Sequence, residues 1–111
     1  MITYSFTTTK NPTIQQVVRA LESAFQGLKM STYPPNPYPT SNTQIHVHGY
    51  VAITSTPAQS NIIVGFFEST SEWDGYDVTQ NNVTIDYISA VYSSIPTQTQ
   101  VENVLSGAGL I

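Results

Sequence analysis

The sequence predicts an α+β domain, a two-layer sandwich in which two helices cover a mainly antiparallel sheet of four or five strands, in the order β-α-β-β-(β)-β-α. Three observations predict it. Residues 2–7 alternate Ile2, Tyr4 and Phe6 with Thr3, Ser5 and Thr7, the period of a strand with one buried face. Ile14, Val17, Val18, Leu21, Ala24, Phe25 and Leu28 recur at spacings of three and four, the stripe of a helix lying on a core. Residues 43–54 and 61–68 are two extended apolar runs on either side of a turn-rich segment, and read as a β-hairpin. Two helices with one stripe each cannot cover both faces of such a sheet, so both lie on one. The chain of 111 residues forms a single domain over residues 1–111. A chain of this size buries roughly two-thirds of its unfolded surface and needs no staple.

Strand one spans residues 2–7. Asn11 followed by Pro12 then reads as a helix start, with Asn as N-cap and proline at the first helical position, where its missing N–H costs nothing. Gly27 is placed to end that helix. Residues 30–42 hold four prolines and two tyrosines, which excludes helix and central strand and leaves an extended loop. That loop reads as a crossover strapped over a sheet edge, or as a partner-binding arm presenting Tyr33 and Tyr38.

In the first arm of the hairpin, Ile45, Val47, Val51 and Ile53 fall on one side, and Gln44, His46, His48, Tyr50 and Ala52 on the other. The apolar side should face the helices and the ring-bearing side should stay open to solvent or a partner. Residues 55–60, Ser-Thr-Pro-Ala-Gln-Ser, supply the connection. Residues 69–77 form a loop around Trp73, Val78 and Thr79 could open a strand, and Gln80 to Asn82 form a turn. Residues 83–93 fit either period and are read as a strand on β-branched and aromatic enrichment. Thr97 and Gln100 make a capping-box pair, Val101, Val104 and Leu105 a short stripe, and Gly107 a stop.

Composition narrows function more than any motif does. Only 9% of residues are charged, whereas 42 of 111 are Thr, Ser, Asn or Gln, so solubility rests on neutral polar groups. With three cations, a net charge of -4 and no basic patch, nucleic acid is excluded as a primary partner, because nothing can neutralise a run of phosphates. No apolar run of 18 residues exists to span a membrane, and the first residues lack the basic and apolar regions of a signal peptide. The absence of cysteine removes disulfides, thiolate metal sites and thiol nucleophiles. No G-x-S-x-G and no phosphate loop occurs, so no catalytic residue is assigned and no cofactor is expected.

Two constellations could still carry chemistry. His46 and His48, at i and i+2 on a strand, would hold their imidazoles about 6 to 7 Å apart on one face, as joint metal ligands, with Glu68 from the facing strand as the third. Trp73 and Tyr76, among the carboxylates of residues 68–77, could hold a sugar. Against both stands the simpler reading of a hydroxyl-rich, tyrosine-bearing surface that makes polar, aromatic-anchored contacts through residues such as Tyr33, Tyr38, Tyr50, Trp73 and Tyr76. The expected function is therefore that of a small non-enzymatic structural or interaction protein, self-associating or bound to other proteins. The expected setting is a virion or the host cytoplasm. Its composition resembles that of proteins from viruses of acid-living thermophilic archaea.

Overall fold

The structure is a computed structural model that describes residues 1–25, 28–32, 47–68 and 95–111. The fold is α+β. Strands β1 (Ile2–Thr8), β3 (Val47–Ser55) and β4 (Ser60–Phe66) form an antiparallel sheet, and a short strand, β2 (Leu28–Thr32), adds to it in parallel. The order across the sheet is β1-β4-β3-β2, so β1 and β2 are its edges among the described residues. Helix α1 (Ile14–Ala24) follows β1, and helix α2 (Gln98–Gly107) closes the chain. The β3–β4 connection is tightened by Thr56, whose N–H donates to the Gln59 carbonyl and whose hydroxyl accepts from the Gln59 N–H.

Both helices start with the same device. Thr13 and Thr97 are the N-caps, each accepting from the backbone N–H of the glutamine three residues on, while Gln16 and Gln100 reach back to the N-cap N–H. Such a cap is worth about 1 kcal/mol. The box at Thr97 is where the sequence places it. At α1 the expectation of an Asn11 cap is corrected: Asn11 lies in the left-handed region (φ 52°), Pro12 is buried ahead of the helix, and Thr13 caps. The reciprocal pair satisfies two N–H donors where an Asn cap satisfies one, so the box wins.

The far end of α1 also differs from expectation. The helix ends at Ala24, and Phe25 is extended (φ -119°, ψ 110°). Leu28 belongs to β2, where it pairs with Val47. The expectation that the helical stripe runs on through Phe25 and Leu28 is corrected: both side chains meet the core, but from extended backbone. The β2 backbone is held by Glu22, whose carboxylate accepts from the Met30 N–H at 3.0 Å. Met30 to Thr32 are thus strand rather than loop, and residues 33–42 of the expected loop lie outside the described residues. Helix α2 ends in a Schellman motif: Gly109 is left-handed (φ 74°), its N–H donates to the Ser106 carbonyl, and the Leu110 N–H donates to Leu105. Leu105 and Leu110 then both pack in the core, the apolar contact that accompanies this motif.

The main core lies between the helices and one face of the sheet. Val17 and Leu21 of α1 and Val101 and Leu105 of α2 meet Phe6, Val51, Ile62, Val64 and Phe66. Tyr4 closes one side, its ring edge-on to Phe66 and its hydroxyl donating to the Pro96 carbonyl at 2.7 Å. Gly49 lies on this face opposite Phe66; a Cβ there would overlap the Gly65 carbonyl oxygen and press on the end of Met30.

Candidate functional site

The parity expected for β3 holds. Val47 and Val51 are buried on the helix side, and His48 and Tyr50 occupy the alternate positions. The expectation that the alternate face is open to solvent does not hold at His48. His48 is 0% exposed, and its ring stacks on Phe67, also 0% exposed, with centroids 5.3 Å apart and planes 8° from parallel. Tyr50 is half-buried and tilts toward the same Phe67 ring at 6.3 Å. Its ring also reaches over Gly65, its partner across the strands, where a Cβ would strike the ring. Successive strand residues point to opposite faces, so Phe66 enters the main core and Phe67 carries a second apolar ring to the other side. The signal for this was the unbroken run Ile62-Ile63-Val64-Gly65-Phe66-Phe67, since a strand buried on both faces reads as continuous rather than alternating apolar sequence.

This changes what the ring-bearing face can do. A buried imidazole stacked on a phenyl ring is a packing element first. Glu68, the expected third ligand, is exposed and accepts from the Met1 ammonium at 2.9 Å. Among the described residues no group of three His, Asp or Glu is placed to hold a metal ion. His46, Tyr33, Tyr38, Trp73 and Tyr76 lie outside the described residues, as does the expected strand 83–93.

A second feature, which the sequence reading did not single out, sits where the β3–β4 turn meets the β1–α1 loop. A cleft of about 460 Å³ is lined by Thr9, Asn11, Ser55, Thr56, Gln59 and Ser60 among others. Ser60 is 1% exposed; its hydroxyl donates to Asn11 Oδ1 at 3.2 Å, which leaves Ser55 as the donor in the 3.1 Å contact between the two serines. This chain ties loops 49 residues apart. Its groups are neutral, so the cleft offers hydrogen bonds and no acid or base.

The third feature is the pair of sheet edges. Edge strands expose unpaired backbone groups and are commonly blunted by charge, proline, bulges or a covering element. At β2 the Glu22 carboxylate occupies the Met30 N–H. At β1 the strand runs seven residues with no charge and no proline, in unbroken register with β4. Which of its groups face outward follows from the ladder. The Thr56 N–H to Gln59 and Phe67 N–H to His48 bonds set the hydrogen-bonded pairs of β3 and β4, so Ser60, Ile62, Val64 and Phe66 turn their backbone groups to β1. Their partners there are Thr8, Phe6, Tyr4 and Ile2. The N–H and C=O groups of Thr3, Ser5 and Thr7 therefore point away from the sheet, and their side chains are exposed.

Comparison with known protein families, with curated proteins and with solved structures finds no match to this chain.

Proposed function

We propose that this chain is a small non-enzymatic structural or protein-interaction protein that acts by self-association or within a larger assembly, such as a virus or phage particle. The observation that supports this reading is the β1 edge: a neutral strand of seven residues, three of which turn their backbone donors and acceptors outward, beside a second edge where a carboxylate holds a backbone N–H. Main-chain addition of a strand needs no charged anchor, which suits a chain with 9% charged residues. The hydroxyls of Thr3, Ser5 and Thr7 flank that edge and lose little on contact, because no ion has to be desolvated. Light scattering on the untagged protein from micromolar concentration upward tests the reading, alongside pull-down from the natural source. Mass above that of one chain, or capture of a discrete partner, is the expected result. A strict monomer that captures nothing would refute it.

A further inference from the structure

We infer that the occupant of the β1 edge is β1 of a second copy, joined antiparallel about a two-fold axis through Ser5, so that two sheets become one; the inference rests on the reading above and names its partner. Three observations converge on a second copy. The outward backbone groups are those of Thr3, Ser5 and Thr7, a set symmetric about Ser5. Two-fold pairing there sets Ser5 opposite Ser5 and Thr3 opposite Thr7, and makes six main-chain hydrogen bonds, two for each of three pairs.

The side chains match in the same register. On the exposed face Thr3 meets Thr7, and Ser5, whose hydroxyl donates to Asn61 Oδ1 at 2.9 Å within its own chain, meets Ser5. On the helix face, Tyr4 comes opposite Phe6 of the second copy and Ile2 opposite Thr8, so the buried layer runs on across the axis. A register centred on Tyr4 would leave Thr7 and Thr8 without partners inside the strand. Charge does not oppose the pairing. Strand β1 carries none, Lys10 lies beyond its end, and the Met1 ammonium is already engaged by Glu68. The other edge is a poorer template, because the Glu22 carboxylate already holds the Met30 N–H and an incoming strand would have to displace it.

The chain has no cysteine, so single introduced thiols report on the register without background. In a hydrogen-bonded antiparallel pair the Cα atoms lie about 5.5 Å apart, within reach of a disulfide. Ser5→Cys should give a disulfide-linked dimer on mild oxidation. Thr3→Cys alone should not, whereas Thr3→Cys mixed with Thr7→Cys should cross-link. Ser5→Lys, an exposed substitution that sets two ammonium groups against each other, should leave a folded monomer by circular dichroism and light scattering. Cross-linking of Thr3→Cys as readily as Ser5→Cys would overturn the register. A protein that stays oligomeric with Ser5→Lys and fails to cross-link through Ser5→Cys would overturn edge pairing while leaving the broader interaction reading intact. A wild-type monomer at all concentrations that still captures a different protein would overturn self-pairing alone.

Discussion

Phe66 and Phe67 are adjacent, both 0% exposed, and lie on opposite faces of the sheet, so truncating each to alanine measures the two faces separately. Removing a buried Phe ring costs about 3 to 5 kcal/mol from lost transfer energy and the cavity left behind. At Phe66 that cost applies in the main core, where the ring also loses its edge-on contact with Tyr4 at 5.9 Å. At Phe67 the ring stacks on His48 and borders Tyr50, and a lost aromatic pair adds about 0.5 to 1.5 kcal/mol. Phe67→Ala should therefore cost as much as Phe66→Ala, about 3 to 5 kcal/mol, although a sheet with one wet face would charge about 1 kcal/mol or less. Near this chain length about 4 °C of Tm accompanies each kcal/mol, so both variants should melt roughly 12 to 20 °C lower. Urea titration monitored by circular dichroism gives the free energies directly, provided that the slope with denaturant is unchanged. A Phe67→Ala cost under about 1 kcal/mol beside a full cost at Phe66 would refute burial of the second face at the His48–Phe67 end of the sheet.

Gly65→Ala should destabilise by about 1 to 3 kcal/mol, because the new methyl group meets the Tyr50 ring. The same substitution in a Tyr50→Ala background should cost less, and additivity in that double-mutant cycle would contradict the contact. Elemental analysis of untagged protein tests His46, His48 and Glu68 as metal ligands: one zinc, copper or iron per chain that is lost in His48→Phe supports the set, and a metal-free protein that takes up no added metal ends it.

The features that could be read in the sequence are those set by near neighbours. The alternation of residues 2–7 gives β1 its faces, Thr97 and Gln100 announce the start of α2, and the parity of β3 is correct at Val47, His48, Tyr50 and Val51. The box at Thr13 and Gln16 has the same signature as the one at Thr97, yet Asn11-Pro12 offered a competing start two residues earlier. Strand β2 gave no local signal. Five residues, Leu28 to Thr32, extend because Val47 to Val51 lie beside them and Glu22 fixes their backbone from the helix.

Taken alone, the order of residues determined an α+β chain of neutral, hydroxyl-rich surface with an uncharged first strand, because composition and period are properties of the chain itself. Tertiary structure alone decided that His48 is buried and that β1 stands at the edge of the sheet with Thr3, Ser5 and Thr7 turned outward. A period of two says which residues share a face, but only the position of a strand among its neighbours says whether that face, or that edge, meets protein or water.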